Sequence, residues 1–241
     1  MYSIETKNLT KKYKDKTVVD SLDLKINEGE LYSLLGVNGA GKTTTIKMLS
    51  GLILPTSGEI KILGLDMKKN KQEIKGNLNI STQETAIAPN LTVLENLEFM
   101  AGVYKIENKK EKIDELVKLF KLDEVLKQKT KKLSGGWQRK VSIAISLIND
   151  PKVLFLDEPT LGLDVLARRE LWKVIENLKG KITIILTTHY MEEAESLSDR
   201  VGVISKGVLI KEGTVKELIK SVKAKNFEDA FVKIAGGDDL C

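Results

Sequence analysis

One histidine and one cysteine are all that 241 residues hold of either, and each scarcity excludes something. With His189 alone, multi-histidine metal catalysis within this chain is ruled out. The cysteine is the last residue, Cys241, so no internal disulfide framework can form. No stretch approaches the roughly 18–20 apolar residues that a membrane span needs. The opening MYSIETKNLTKKY is polar and lacks the apolar run of a secretory signal. These absences predict a soluble, intracellular chain. Arginine is scarce too: Arg139, Arg168, Arg169 and Arg200 are all of it, and aromatic residues make up 5%. Base-edge readout and strand stacking favour those residue types. The net charge of +5 comes from lysines spread among nearly as many acids. No nucleic-acid partner is therefore expected. The lysines read as a solvated surface, with attraction to anionic lipid headgroups as the next reading.

What is there is ordinary and globular: 41% hydrophobic and 30% charged, enough chain for a domain with an inserted lobe. Residues 2–9 alternate loosely like a strand, and LDLKI at 22–26 alternates more clearly before the turn NEG. LYSLLG at 31–36 is a short apolar run ending at glycine, as a buried strand should. A helix is predicted from about Lys42, and GEIKILG at 58–64 is a further strand. From about Thr85 the pattern turns helical. Ile113, Leu116, Val117 and Phe120 form one apolar stripe, and Val141, Ala144, Ile145 and Ile148 another. Residues 85–150 therefore read as a helical lobe inserted into an α/β chain. KVLFLDE at 152–158 and ITIILTTH at 182–189 are too apolar for half-exposed strands. They predict parallel strands covered on both faces, separated by a helix over 165–178. RVGVISKGVLIKEG predicts a hairpin turning at Lys206–Gly207, and the tail from about 221 is weakly helical.

GVNGAGKT, residues 36–43, fits G-x-x-x-x-G-K-[ST] between a predicted strand and a predicted helix, the context the motif requires. Gly36, Gly39 and Gly41, with Asn38, let backbone N–H groups turn inward around phosphates. Lys42 supplies positive charge to the β- and γ-phosphates, Thr43 a hydroxyl for Mg²⁺, and Thr44 continues the cradle. VLFLDE then ends a buried strand in two carboxylates. Asp157 is placed to hold Mg²⁺ through water, and Glu158 to polarise a water for attack on the γ-phosphorus. Alone these would read as two solvated acids at a strand end; beside a complete phosphate loop they read as its metal partner and base.

KLSGGWQRK, residues 132–140, looks like a second anion nest, with Ser134, Gly135 and Gly136 opening a helix. One nucleotide fold has no second nucleotide of its own. The economical answer is that the nest serves a neighbour's nucleotide, so that two chains, head to tail, sandwich ATP.

Over about residues 3–220 the chain resembles the nucleotide-binding subunit of an ABC transporter. GVNGAGKT resembles the Walker A motif, LSGGW the signature and VLFLDE Walker B with its catalytic glutamate, Glu158. The resemblance implies further roles. Gln83 would sense Mg²⁺ and the γ-phosphate where the helical lobe begins. Asp164, in LGLD, would cross a dimer interface. His189 would contact the γ-phosphate, and Tyr13 would stack on adenine. In isolation His189 reads more readily as structural and Tyr13 as a surface-packing aromatic. The sequence departs from the family at Trp137, often glutamine, and at Leu161, often serine. The tail NFEDAFVKIAGG resembles that of ABC-2-type export subunits.

The resemblance implies an α/β fold: a RecA-like P-loop NTPase core over 1–84 and 151–220, with an antiparallel β-subdomain. An α-helical subdomain is inserted at 85–150, and a tail runs over 221–241. It implies an ATPase using ATP and Mg²⁺, paired with a second nucleotide-binding subunit in a homodimer or heterodimer. Separate transmembrane permease subunits would place it on the cytoplasmic face of the cell membrane. A non-transport ABC ATPase, a mechanical clamp or iron–sulfur assembly factor, is the alternative from another class.

Overall fold

A computed structural model describes residues 1–236; Cys241 lies outside them. An antiparallel sheet is built from β1 (Tyr2–Tyr13), β2 (Lys16–Leu22), β3 (Lys25–Asn27), β5 (Ser57–Ile62) and β6 (Leu65–Asp66). Its order is β2-β1-β5-β6, with β3 paired to β1. The second sheet contains β4 (Leu31–Leu35), β7 (Leu78–Ser81), β8 (Val153–Asp157), β9 (Thr183–Thr188), β10 (Arg200–Ser205) and β11 (Val208–Gly213). It runs β11-β10-β4-β9-β8-β7 and is parallel except where β11 folds back on β10. Every residue of β4, β8 and β9 is buried, which is why these strands read as continuous apolar runs.

Helices cover the parallel sheet. Between β4 and β8 come α1 (Lys42–Leu49), α2 (Lys71–Asn77), α3 (Val93–Val103), α4 (Lys109–Phe120) and α5 (Gly135–Ser146). After β8 come α6 (Val165–Leu178), α7 (Met191–Leu197), α8 (Val215–Ser221) and α9 (Phe227–Gly236). One face of the sheet shares a core with the inserted helices: Leu154, Leu156 and Ile184 pack in one cluster with Leu97, Leu116, Phe120 and Val141. The opposite face, with Phe155 and Ile185, shares a core with α1 and the antiparallel sheet through Ile46, Leu49, Ile4 and Ile60. The closing helices form a third cluster, in which Phe227 and Phe231 cover Val201 and Val203. The tail that reads as weakly helical thus carries a helix held by two buried aromatics.

Two local readings change. LDLKI is not one strand: β2 ends at Leu22 and β3 starts at Lys25. Thr6 supplies the reason, since its hydroxyl donates to the Leu22 carbonyl and accepts from Leu24 N–H, each at 2.8 Å. A side chain there replaces a rung of the backbone ladder. Strand β7 is unannounced in the sequence, because LNIS is short and half polar; it forms by pairing along β8 from Leu78–Val153 to Ser81–Leu156. At the hairpin between β10 and β11, Lys206 and Gly207 both have positive φ, the conformation a tight hairpin turn needs.

The strand register positions the site. Leu35 stands beside Thr188, and Asp157 beside Thr187. The loops that leave β4, β8 and β9 therefore emerge together, at the carboxyl ends of parallel strands, where α/β sheets bind ligands.

Candidate functional site

The loop after β4 closes tightly onto its surroundings. A Cβ on Gly36 would lie 2.4 Å from the Ile204 carbonyl oxygen. Gly41 has φ +103° and caps α1, and a Cβ there would lie 2.6 Å from the Val18 carbonyl oxygen. Both positions require glycine, for close approach in one case and for backbone angle and approach in the other. Beyond Gly41 the first turn of α1 leaves N–H groups without intrahelical partners, at the positive end of the helix.

Lys42 is buried. Its ammonium donates to the carbonyls of Gly36 (2.7 Å) and Val37 (3.2 Å) and pairs with Glu158 Oε1 at 3.3 Å. Thr43 Oγ1 donates to Asp157 Oδ1 at 3.1 Å. Thr187, at the tip of β9, donates to the same oxygen at 2.6 Å and accepts from Glu158 N–H at 3.1 Å. One hydroxyl thus orients the first carboxylate and fixes the backbone of the second. Glu158 has φ +48°, a costly conformation for a non-glycine residue. It turns the side chain back over the loop, where Oε2 meets His189 Nδ1 at 3.0 Å. A proton on Nδ1 makes this contact a hydrogen bond donated to the carboxylate.

These groups surround a cleft of about 370 Å³ lined by Asn38, Gly39, Lys42, Thr44, Gln83 and Glu158, with Gly41, Thr43, His189, Val18 and Leu161 completing it. Asp157 sits behind the lining, 1% exposed. A larger cleft of about 550 Å³ over the antiparallel sheet, among Lys7, Asp23, Lys25, Glu59 and Lys61, contains none of the motif residues. Tyr13 is not part of the lining. It lies at the end of β1, 49% exposed, with the Lys11 ammonium 4.9 Å from its ring centroid.

Ser134, Gly135, Gly136 and Asp164 are not brought to the cleft either. Ser134 precedes α5, exposed and with no capping hydrogen bond from its side chain. Asp164 caps α6, accepting from Leu166 and Ala167 N–H at 2.9 and 3.0 Å. A Cβ on Gly136 would lie 3.3 Å from the Ala167 Cβ, so the starts of α5 and α6 are neighbours on one outer face.

Sequence reasoning leaves out Thr187 and the group behind it. Thr187 and Thr188 are the polar residues that end an otherwise apolar strand, a signal available in ITIILTTH. Glu193 on α7 is fully buried; Oε1 accepts from Thr160 (2.8 Å) and from the Trp172 indole (3.0 Å). Burial raises its carboxyl above the ordinary value, opposed by hydrogen bonds from Thr188, Thr160 and Trp172. It joins the segment after Glu158, the helix after Asp164 and the end of β9.

Comparison with known proteins identifies the family. The family model described as ABC transporter matches residues 19–161. A probable multidrug ABC transporter ATP-binding protein of Escherichia coli is 40% identical over 240 residues, covering 96% of this chain and 41% of its own length. This chain thus spans less than half of that relative. A daunorubicin resistance ATP-binding protein of Streptomyces coeruleorubidus is 38% identical over 211 residues, 86% of this chain and 67% of its own. A Nod factor export ATP-binding protein of Cupriavidus metallidurans is 39% identical over 222 residues, covering 90% and 73%. A solved ATP-binding subunit of an ABC transporter superposes with a TM-score of 0.86 at 27% identity, covering 96% of this chain and 98% of that one. A dimeric ATP-binding cassette in a post-hydrolysis state with ADP and Pi gives 0.80 at 27% identity, over 88% and 98%. The phosphate loop, the two carboxylates behind it and these matches make the chain a member of the ABC transporter family, in its ATP-binding part.

Proposed function

We propose that the chain hydrolyses ATP, and that closure of two such subunits around ATP drives export through separate membrane-spanning subunits. The observation that carries the hydrolytic reading is the placing of Glu158, whose carboxylate touches both Lys42 and His189 at the mouth of the phosphate loop. The donors present fit the implied metal. Thr43 and Asp157 offer hard oxygens 3.1 Å apart, and Gln83 lies on the same cleft wall. These residues would hold Mg²⁺, which when bound with ATP neutralises charge on the phosphates.

The residues act by position and charge. The γ-phosphate competes with the Gly36 and Val37 carbonyls and with Glu158 for the Lys42 ammonium. Losing that partner leaves the Glu158 carboxylate free to take a proton from water, an effect worth roughly 10²–10⁴-fold for a general base. His189 holds Glu158 through Nδ1 and turns Nε2 toward the phosphate side, donating from it when protonated. Asn38, Gly39, Gly41 and Thr44 enclose the phosphates, and Tyr13 moves onto adenine from its exposed position. Ser134, Gly135, Gly136 and Asp164, outside the cleft on one face, complete the site of a second copy or of a related partner. Relatives named for multidrug transport, daunorubicin resistance and Nod factor export support the export reading, of which permease subunits and a place on the cytoplasmic face are the proposed complement.

Two measurements test this. Glu158→Gln should bind ATP while hydrolysing it at least about 10²-fold more slowly; wild-type turnover in that variant sinks the assignment. Tagged protein drawn from gently solubilised membranes should bring a polytopic partner. Recovery only in the soluble fraction, with soluble partners, would turn the reading toward a non-transport ATPase.

A further inference from the structure

We propose that Arg139 is a positioning residue that makes the Ser134–Gly136 nest and Gln83 one moving body. The inference rests on the ATPase reading above and deepens it. Arg139 stands one helical turn after Gly135 on α5 and is 5% exposed. Its guanidinium donates through Nη1 to the Thr82 carbonyl at 2.7 Å and through Nη2 to the Gln83 carbonyl at 2.6 Å. Those carbonyls begin the connection from β7 to α3, and the side chain of Gln83 lines the cleft. One turn further along α5, the Ser142 hydroxyl meets the Ser81 hydroxyl at 3.1 Å. The helix that opens with the outward nest thus grips the inward-facing loop at two points.

The chemistry selects arginine. Two successive carbonyls diverge, and a planar fork reaches both, whereas a single ammonium is a point donor. Burying a guanidinium is unfavourable unless its donors are satisfied, so an apolar side chain would serve simple packing better. The bonds instead tie the Arg139 side chain to the loop backbone across 57 and 56 residues. Movement of Gln83 toward a nucleotide in its own cleft then carries α5 with it. The nest lies roughly 7 Å up the helix axis from Arg139, at 1.5 Å per residue. Each chain would thereby report the state of its own nucleotide to the nucleotide held by its partner.

The test is hydrogen exchange in a chain carrying Ser134→Arg, which fills the nest and blocks the contact with a second copy. In that background ATP with Mg²⁺ should slow exchange at α1 and also at α5. Adding Arg139→Met should leave the slowing at α1 and abolish it at α5. Arg139→Lys, which keeps the charge and one donor, should retain part of it and decides the matter if the methionine variant does not fold. Undiminished slowing at α5 in a folded Arg139→Met or Arg139→Lys chain overturns the inference. No slowing at α1 in the Ser134→Arg chain itself overturns the ATP reading, and the inference with it.

Discussion

At the scale of single residues, polar groups behind the cleft hold the reactive ones in unusual states. Glu158 occupies a left-handed backbone conformation because Thr187 holds its N–H from both side chain and main chain, each at 3.1 Å. Glu193 illustrates the cost of such support. Its folded carboxyl is raised by burial above the ordinary 4.5. The folded state therefore binds the proton more tightly than the unfolded state. Stability falls as pH rises from the ordinary value through the raised one. Glu193→Gln keeps an acceptor for Thr160 and Trp172 and removes the titration. The melting temperature of the variant minus that of the wild type should grow as pH rises from 4.5 toward neutrality. A difference that does not change with pH would show that burial imposes no such cost. The supporting threonine and glutamate escaped the sequence reading for different reasons. Thr187 stands where a strand pattern leaves its polar tip unassigned; the role of Glu193 needs four separate segments to converge.

At the scale of elements, boundaries follow from local chemistry that the sequence partly displays. Helix α3 starts at a capping box. Thr92 Oγ1 accepts from Glu95 N–H at 3.2 Å, and the Glu95 carboxylate accepts from Thr92 N–H at 2.7 Å. The carboxylate also accepts from the Thr92 hydroxyl at 2.9 Å, and the backbone and side-chain bonds from Thr92 together hold the Glu95 carboxyl below its ordinary value. Thr92→Ala should lower the melting temperature by roughly 2–4 °C, the usual size of losing one cap in a chain this long. An unchanged thermal melt would mean the lobe's packing alone sets that boundary. The phosphate loop, the buried strands and the apolar stripes of α4 and α5 were legible because each is a periodic or spaced pattern in one continuous stretch. LDLKI misled because alternation cannot reveal that Thr6, sixteen residues earlier, intercepts the ladder at Leu22. Strand β7 was invisible because four residues carry too little period of their own.

At the scale of the whole molecule, the proposed function makes the chain half of two sites. The cleft over α1 and the nest at the start of α5 lie apart in the chain. The proposed reading unites them through a second chain. Ser134→Arg should leave ATP binding to the monomer intact and abolish cooperative hydrolysis, read from initial rates against protein concentration. Unchanged hydrolysis would mean that the nest serves something other than a partner's nucleotide. Among the described residues no helix is long and apolar enough to cross a membrane. Under the proposed function, coupling to membrane-spanning subunits would pass through surface contacts, with the bonds from Arg139 to the Thr82 and Gln83 carbonyls as the proposed link within the chain.

By itself the sequence determined the phosphate-loop pattern and the carboxylate pair that goes with it. The glycines, Lys42, Thr43 and the paired carboxylates stand at spacings set by backbone geometry, and short-range geometry is written in consecutive residues. Only the tertiary structure decided what orients those groups. Strand β9 lies between β4 and β8, so Thr187 reaches Asp157 and His189 reaches Glu158 across a register that no local pattern encodes. It also decided that Tyr13 stands outside the cleft lining and that Arg139 clasps Gln83. These contacts depend on how sheets and helices pack, and packing sums weak preferences over the whole chain.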